Sequence, residues 1–387
     1  MNNKPLISFL VFALFSTPLA AAERLQRLPD IPGYQTLHCD YHMHTVFSDG
    51  KVWPDMRVLE AHDEDLDCIA ITDHLKYNKT GVRKKHPEIV ADRNRAYEIA
   101  HEAANGSDVI VISGAEVTQG MPPGHINAIF LSDANIAQPD YMDTMAIARD
   151  QGAFLFWNHP AWKSPDKKWE QDAIAQWFDV HDELLNSGRL HGIEVVNGQT
   201  YSREAHQWAL EKNLTIFANT DIHLPMGLEY DLTHEHRPIT LTFAREKTEE
   251  SIKEALFEHR TAVWFGNSLV GSAEFLAPLF EACIEQTDAA YLENLAIAQV
   301  SNNCSMDFYV ENTSDFSLYN STSFIELKAG ETQGLAIKTG KQLEEITLKL
   351  SVRNIHTAPD VPLETQLTFK VSGTIPDKKM LDKLGSD

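Results

Sequence analysis

The sequence predicts an α/β domain with a mostly parallel sheet, open or closed into a barrel, followed by a small all-β sandwich. In the first part, up to about residue 270, apolar runs typical of buried strands alternate with helical patterns. After about residue 290, short strands of alternating polarity follow one another through polar turns. One connection, residues 118–125, is too short for a parallel crossover, so the strands that it joins should form a hairpin.

The strands of the first domain are predicted from apolar runs bounded by polar or turn-forming residues. They cover 37–44, 68–74, 108–118, 125–131, 153–160, 192–198, 215–223, 237–244 and 261–266. Helices are predicted between most of them, over 54–65, 87–104, 140–151, 170–186, 202–212 and 247–259. We therefore place the first domain at 23–285, the sandwich at 290–374 and a flexible tail at 375–387.

Composition and charge restrict the class of function. The 387 residues are 43% hydrophobic and 23% charged, which is an ordinary globular composition. The net charge of −23 makes the surface repel nucleic acids and anionic membranes. Nucleic acid is therefore an unfavoured ligand, and the sequence shows no feature that identifies a protein partner.

The N-terminus has the pattern of a secretory signal peptide, predicted over residues 1–22. One lysine precedes an apolar run from Leu6 to about Phe15, and small residues follow up to Ala22, where cleavage is expected. The apolar run is too short to span a membrane, and we predict no membrane span elsewhere. The mature protein is expected to be exported, to the periplasm or the medium.

Export permits disulfide bonds, and the chain has four cysteines. Cys283 and Cys304 could pair. Cys39 and Cys68 lie in the first two predicted strands and, by the alternation of side chains, should be small buried residues on opposite faces. None of the four has the setting of a catalytic nucleophile.

Metal-ligating side chains recur where the predicted strands end. His42 and His44 are two residues apart and therefore face the same side of the first strand, and the same holds for Asp221 and His223. The whole set is His42, His44, Asp49, His74, Glu116, His125, His159, Asp221 and His223. Active sites of parallel α/β domains are built at the carboxyl ends of the strands. Such a crowd of polar groups would be costly to bury unless cations neutralised it.

Each residue of this set also has an ordinary explanation when it is taken alone. A single histidine at a strand end is usually a core residue, Glu116 could belong to a salt bridge, and Asp221 could cap the next segment. Together, imidazoles and carboxylates suit Zn²⁺, Mn²⁺ or Fe²⁺, and the absence of thiolates argues against a structural zinc finger. Two or three ions fit the set if Glu116 bridges a pair of them.

The motifs HMHTVFSDG, ITDH, GAEV, GHINAIFL, NHP and NTDIH, in this order, resemble the PHP (polymerase and histidinol phosphatase) family. The resemblance covers roughly residues 36–265 and fills every family ligand position, whereas the sandwich lies outside it. It implies a distorted seven-stranded TIM-like barrel, a di- or trinuclear metal centre and, in most members, phosphoester hydrolysis. Asp49 stands where some relatives have histidine, and its harder oxygen favours Mn²⁺ or Fe over Zn²⁺.

The resemblance also implies how the ligands divide among the ions. The implied sets are His42, His44, Glu116 and Asp221; Glu116, His125 and His159; and Asp49, His74 and His223. A hydroxide held by the first set and bridging two ions is the expected nucleophile, attacking phosphorus in line. The sequence has no serine elbow of the G-x-S-x-G type to compete with it.

Basic residues near the predicted catalytic face are candidates for binding the anionic substrate. The stretch 75–95 carries seven lysines and arginines against two acidic residues, and we select Lys76 and Arg83 from it as substrate contacts. A solvated basic loop is the alternative explanation. Arg237, just past the last motif, is a second candidate for clamping a phosphate.

Three functions remain open at this level. The first is an exported metal-dependent phosphoesterase that acts on a small phosphorylated molecule, with a phosphomonoester favoured. The second is an amidohydrolase-like metal hydrolase of an amide or ester, although Glu116 and the closing D-x-H motif favour the first. The third is a non-catalytic protein that binds metal or a partner.

Overall fold

The computed structural model describes residues 27–76, 91–161, 175–319 and 322–375. The predicted signal peptide, the predicted C-terminal tail beyond residue 375, and most of the basic stretch with Arg83 lie outside the described residues. Within the four described ranges, no helix combines the length and the apolar character that a membrane crossing requires.

The first part of the chain alternates strands and helices as predicted. Its strands are β1 Gln35–Asp40, β2 Cys68–Ile71, β3 Ile110–Val117, β4 Ile126–Ile129, β5 Phe154–Trp157, β6 Gly192–Asn197, β7 Thr200–Tyr201, β8 Thr215–Asn219, β9 Ile239–Ala244, β10 Thr261–Phe265 and β11 Ser268–Gly271. Its helices are α1 Pro54–Asp63, α2 Asn94–Ala103, α3 Tyr141–Asp150, α4 Asp179–Asn186, α5 Arg203–Lys212, α6 Glu249–Phe257 and α7 Ala273–Cys283, with a short 3₁₀ turn at Met226–Leu228.

The strand pairing brings the two ends of the first sheet together. The order is β8–β6–β5–β4–β3–β2–β1, with β4 antiparallel to both neighbours and the other pairs parallel. The predicted hairpin between β3 and β4 is confirmed. Past the end of β1, His44 N donates to Ile222 O at 3.0 Å and Asp221 N donates to His42 O at 2.9 Å. These bonds join the segment after β8 to the segment after β1.

The strands β9, β10 and β11 extend this sheet beyond β1, each antiparallel to the one before. Helix α7 follows them and was not among the predicted helices. Its buried residues Phe275, Leu276, Leu279 and Phe280 recur at helical spacing, but Pro278 lies in its interior, where a proline is expected to end or kink a helix.

The second part of the chain is all β, as predicted, and begins directly after α7. Its strands are β12 Ile284–Gln286, β13 Ala289–Leu292, β14 Leu295–Asn302, β15 Phe308–Asn312, β16 Ser317–Leu318, β17 Phe324–Leu327, β18 Thr332–Lys338, β19 Glu345–Ala358 and β20 Val361–Thr374. One group pairs β14 with β12, β13 and β18, and the other pairs β19 with β15 and β20. Burial alternates along β14 and β18, which is the pattern of a sheet with one covered face.

The two parts share one hydrophobic core and one sheet. Strand β11 pairs in parallel with β19, and Leu269 lies opposite Ile355. Phe280 of α7 packs edge-on against Phe308 of β15, with ring centroids 5.0 Å apart. A single cluster of buried apolar residues runs from the first strands into the sandwich. The second domain is therefore packed against the first by its own core residues.

The cysteines divide into one disulfide and two free thiols. Cys283, at the end of α7, is bonded to Cys304, as the sequence had allowed. Cys39 and Cys68 are both buried, but they lie directly opposite each other in the parallel β1–β2 pair and so share one face. The expectation of opposite faces is wrong because β2 ends at Ile71, and the side-chain alternation counted back from His74 does not continue through the irregular residues between them.

Removing the disulfide should destabilise the protein measurably. The bond closes a loop with a sequence separation of 21 residues, and closing a loop of this size contributes about 3 kcal/mol in the chain-entropy account. We expect the Cys283→Ala/Cys304→Ala variant to lose about that much unfolding free energy in urea. The matched control, Cys39→Ala/Cys68→Ala, should keep the wild-type sensitivity to dithiothreitol. Equal stability of the wild type with and without reductant would contradict the prediction.

Asp67 should make a pH-dependent contribution to stability. It accepts the His38 N–H at 2.8 Å and pairs with Arg27 and with Lys247, whose Nζ is 2.7 Å away. Burial raises the pKa of Asp67, but the hydrogen bonds from Arg27 and Lys247 outweigh it and leave the pKa below its ordinary value. The stabilisation is therefore present above the unfolded-state pKa of about 3.9 and is lost as the pH falls through the lower folded-state pKa.

The Asp67→Asn variant tests this contribution. At pH 7 it should unfold with about 1–3 kcal/mol less free energy than the wild type, because the donors around it lose a charged acceptor. Urea titrations at a series of pH values should show this difference shrinking below about pH 4. A difference that stayed constant down to pH 2 would show that the ionised carboxylate is not its cause.

Candidate metal centre

The structure brings all of the predicted ligand residues together at the ends of the strands. His42, His44 and Glu116 are fully buried, whereas the side chain of His223 is 33% exposed and is the most open of the set. The hairpin places His125, at the start of β4, beside Glu116 near the end of β3. The convergence follows from the pairing of β1 with β2 and β3 and from the hydrogen bonds that join the ends of β1 and β8.

The most buried group consists of His42, His44, Glu116 and Asp221. The two Nε2 atoms are 3.1 Å apart, and each lies 3.0–3.1 Å from Asp221 Oδ1. Glu116 Oε2 lies 3.5 Å from Nε2 of His42 and 3.2 Å from Nε2 of His44. Ligand atoms around a tetrahedral ion with bonds of about 2.1 Å are about 3.4 Å apart. The distances from the two imidazoles to each carboxylate are therefore those expected within one coordination shell.

A second group is more open and centres on Asp49. Nε2 of His223 lies 3.2 Å and Nε2 of His74 lies 3.5 Å from Asp49 Oδ1. His44 stands between this group and the buried group, since its ring stacks on those of both His74 and His223. The potential ligand atoms of these four residues all lie within 4.8 Å of one another.

Glu116 joins the remaining ligands to the buried group. Its Oε1 contacts His125 Nδ1 and lies 3.9 Å from His159 Nε2, while its Oε2 lies 2.9 Å from His74 Nδ1. His159 Nε2 also lies 3.9 Å from Asp221 Oδ2. One carboxylate thus faces imidazoles that come from several different segments of the chain.

The chemistry of these side chains fits divalent transition-metal ions. Both oxygens of Glu116, and Oδ1 of Asp49, are buried without a partner in hydrogen-bonding geometry, although imidazole nitrogens lie close to them. A buried carboxylate that accepts no hydrogen bond is costly unless a cation compensates its charge. Imidazole nitrogens mixed with carboxylate oxygens are the ligands that zinc, manganese and iron accept.

The imidazoles and carboxylates of the site stabilise each other's charged forms. Burial lowers the pKa of His44, but the adjacent carboxylates of Asp221 and Glu116 outweigh it and raise that pKa to about 9. Burial raises the pKa of Asp49, but His223 and His74 outweigh it and bring that pKa to about 2. The carboxylates therefore stay ionised and the site attracts positive charge, from protons or from metal ions.

Two of the ligand candidates have left-handed backbone conformations. The φ angles of His159 and Asp221 are 31° and 55°. Such angles in residues other than glycine cost roughly 1–3 kcal/mol and persist where the surroundings enforce them. Here Glu194 Oε2 accepts the His159 N–H at 2.7 Å, and His42 O accepts the Asp221 N–H at 2.9 Å.

Sequence reasoning missed the residues that hold the ligands. Glu194 of β6 accepts a hydrogen bond from His42 Nδ1 at 2.8 Å. Asp73 accepts from Ser48 Oγ, which in turn lies 3.2 Å from His44 Nδ1. A single acidic residue inside the apolar strand GIEVVN was the available signal for Glu194. Asp73 had no comparable signal, because its partners lie in a loop distant in sequence.

The proposed substrate contacts are placed differently. The expectation that Arg237 clamps a phosphate is corrected: its side chain is buried, with Nε 2.9 Å from Glu64 and Nη1 3.3 Å from Asp40. Its charge is thus already compensated inside the protein. Lys76 is exposed and donates to Pro139 O at 3.2 Å. Arg83 lies outside the described residues, so its position is not tested.

A cavity of about 390 Å³ opens beside the ligand groups. The described residues that line it are His159, Pro160, Ala161, Glu194, Val195, Asn197, Thr200 and Ser202. His159 and Glu194 connect it to the ligand groups. Its volume lies in the range of small-molecule binding sites, roughly 300–1,000 Å³.

Both parts of the chain are similar to known proteins. Residues 284–368 match the family model of an Ig-like domain, DUF5001. A search of the curated proteins found no match. Among solved structures, a two-domain protein from Bacteroides vulgatus that contains a predicted PHP-like metal-dependent phosphoesterase is 38% identical. The match has a TM-score of 0.81 and covers 90% of this chain and 100% of the other.

Two further structures are much less similar. A candidate metal-dependent phosphoesterase from Bifidobacterium adolescentis is 16% identical, with a TM-score of 0.35 and coverage of 48% of this chain and 87% of its own. An amidohydrolase from Chromobacterium violaceum with bound sulfate and no metal is 15% identical, with the same TM-score and coverage of 49% and 88%. Neither bears on the site. On the strength of the Bacteroides relative, the chain belongs to the family of PHP-like metal-dependent phosphoesterases.

Proposed function

We propose that this protein is an exported metal-dependent phosphoesterase that hydrolyses a small phosphorylated substrate, with a phosphomonoester preferred. The observation that carries this proposal is the convergence of imidazoles and carboxylates around the buried Glu116. The Bacteroides relative, which contains a predicted metal-dependent phosphoesterase, supports it. We also propose that the first domain is a distorted (βα)₇ barrel of the PHP type. The hydrogen bonds between the segments after β8 and after β1 support this, because they join the two ends of the sheet.

The proposed cofactors are two or three divalent ions of zinc, manganese or iron. The proposed ligand sets are His42, His44, Glu116 and Asp221; Glu116, His125 and His159; and Asp49, His74 and His223. When bound, such ions lower the pKa of water and neutralise charge on phosphate oxygens. The side chains themselves fix where the ions lie, and the burial of Glu116 keeps bulk water from its carboxylate.

The surroundings of the site support a small substrate. The cavity beside His159 has room for the leaving group of a small phosphoester, and Asn197 and Thr200 offer it neutral hydrogen-bonding groups. The net charge of −23 disfavours a nucleic acid substrate. Lys76 remains a proposed contact for the substrate's anion, because it is exposed close to His74 in the sequence.

Export to the periplasm or the medium is part of the proposal. The N-terminal sequence pattern supports it. The Cys283–Cys304 disulfide supports it as well, because disulfides persist mainly in oxidising compartments.

Metal-loaded protein should hydrolyse p-nitrophenyl phosphate faster than bis-p-nitrophenyl phosphate. His42→Ala and Asp221→Ala should each lower kcat/KM by more than the roughly 10–100-fold loss typical of residues that only support a ligand. Asp360→Asn is the matched control, since this exposed residue pairs with Arg203 away from the ligand groups, and it should leave the rate unchanged. Turnover that survived either ligand variant, or cleavage of amides or carboxylic esters instead, would refute the assignment.

Divalent ions should also stabilise the folded protein. Ions that bind the native state stabilise it by about 2.7 kcal/mol at a concentration of 100 times Kd. Protein stripped with a chelator should therefore unfold at a higher temperature once Mn²⁺, Zn²⁺ or Fe²⁺ is added. Asp221→Ala should reduce this shift, because Asp221 contacts both His42 and His44. A melting temperature that did not respond to any of the three ions would contradict the metal centre.

A further inference from the structure

Glu194 is a buried carboxylate that lies outside the predicted ligand set. Only 1% of its surface is exposed. Its Oε1 accepts hydrogen bonds from His42 Nδ1 at 2.8 Å and from Asn219 Nδ2 at 2.9 Å. Its Oε2 accepts from the backbone N–H of His159 at 2.7 Å and from Asn197 Nδ2 at 2.9 Å. One side chain thus connects the segments after β1 and β5 to β6 and β8.

The hydrogen bond to Glu194 decides which nitrogen of His42 faces the metal centre. An ionised carboxylate can only accept, so Nδ1 of His42 carries the proton in this bond. Nε2 is then the nitrogen available to a metal ion, and it lies 3.1 Å from Asp221 Oδ1. Histidines that bind metals commonly donate their other ring N–H to a carboxylate, which fixes the ring and increases its basicity.

The same carboxylate also holds the backbone of His159. This residue has a left-handed φ of 31°, which a residue other than glycine rarely adopts. The hydrogen bond from its N–H to Glu194 stabilises that conformation and fixes the backbone position from which the imidazole extends. Glu194 therefore acts on two ligand candidates by different means, through the ring of His42 and through the main chain of His159.

The charge of Glu194 has little other compensation. In the described part of the chain, no lysine or arginine nitrogen lies within ion-pair distance of it, and its ion-pair partner is His42. Its remaining donors are neutral amides. A cation on the far side of the His42 ring would therefore stabilise Glu194, and Glu194 would in turn favour that cation.

We propose that Glu194 is a positioning residue of the metal centre, which orients His42 and His159 and thereby strengthens the binding of the ions. The inference rests on the proposed metal site and is independent of which bond the enzyme cleaves. It predicts that Glu194 affects metal affinity although it is not one of the proposed ligands.

The test measures Zn²⁺ affinity of the metal-free full-length chain by competition with a chromophoric chelator. Glu194→Gln keeps the shape of the side chain but removes its charge and one acceptor oxygen, and we expect about 10–100-fold weaker Zn²⁺ binding. Asp67→Asn is the matched control, because Asp67 is also a buried carboxylate that accepts a backbone N–H and pairs with cations. It contacts no predicted ligand and should keep the wild-type affinity.

A double-mutant cycle with His42→Ala separates positioning from general destabilisation. Glu194→Gln should weaken Zn²⁺ binding less in the His42→Ala background than in the wild type, since one of its two routes to the ions is absent. Wild-type affinity in Glu194→Gln, the same loss in Asp67→Asn, or fully additive effects in the cycle would overturn the proposal. If Glu194→Gln does not fold, Glu194→Asp serves, because the shorter side chain withdraws the acceptor from His42.

The result is distinguishable from the outcome of the activity assays. A protein that binds Zn²⁺ with the expected dependence on Glu194 but hydrolyses no phosphoester would reject the proposed reaction and support the positioning role. A protein that hydrolyses phosphoesters while Glu194→Gln keeps wild-type Zn²⁺ affinity would do the reverse.

Discussion

The burial of Glu116 among the strand ends is the constraint on which this site depends. Its carboxylate is removed from water, and imidazoles of His42, His44, His74 and His125 lie around it. An ionised group in such a place is stable only if positive charge stays close to it. Any conformation that separated these strand ends would leave that charge uncompensated, so fold and site stabilise each other.

A further layer of buried charges holds the ligands where they are. Asp40 accepts a hydrogen bond from Thr220 Oγ1 at 2.6 Å and so connects the end of β1 to the end of β8, while Arg237 compensates its charge. Asp73 and Glu194 support His44 and His42 in a similar manner. Arg237, which the sequence suggested as a phosphate clamp, thus belongs to the buried charges that align two segments carrying candidate ligands.

The Ig-like domain is part of the same packed unit. Its strand β19 pairs with β11, and β11 belongs to the sheet that contains β1. The Cys283–Cys304 disulfide joins helix α7 to the loop after β14 at this boundary. These contacts favour a stabilising role for the domain. A module that acted independently would share little buried surface with its neighbour, whereas this domain is joined to the first by a sheet and a disulfide.

The sequence predicted those features whose signal lies within a short stretch of the chain. The pairs His42/His44 and Asp221/His223 could be recognised from their two-residue spacing, although they lie just past the ends of β1 and β8 rather than within these strands. The hairpin could be recognised because a short connection excludes a crossover. Helix α7 was missed although its buried residues recur at helical spacing, because Pro278 lies in its interior and a proline is expected to end or kink a helix.

Residue types and their spacing along the chain were sufficient to identify the α/β and all-β parts, the family, and the side chains that converge at the strand ends. Only the folded chain showed that Arg237 pairs with Glu64 and Asp40 and that Cys39 and Cys68 share a face. It also showed that Glu194 accepts a hydrogen bond from His42. The reason is physical: each of these outcomes depends on which charge or strand lies nearest in space. Partners such as Glu194 and His42 are separated by 152 positions, and no periodicity connects them.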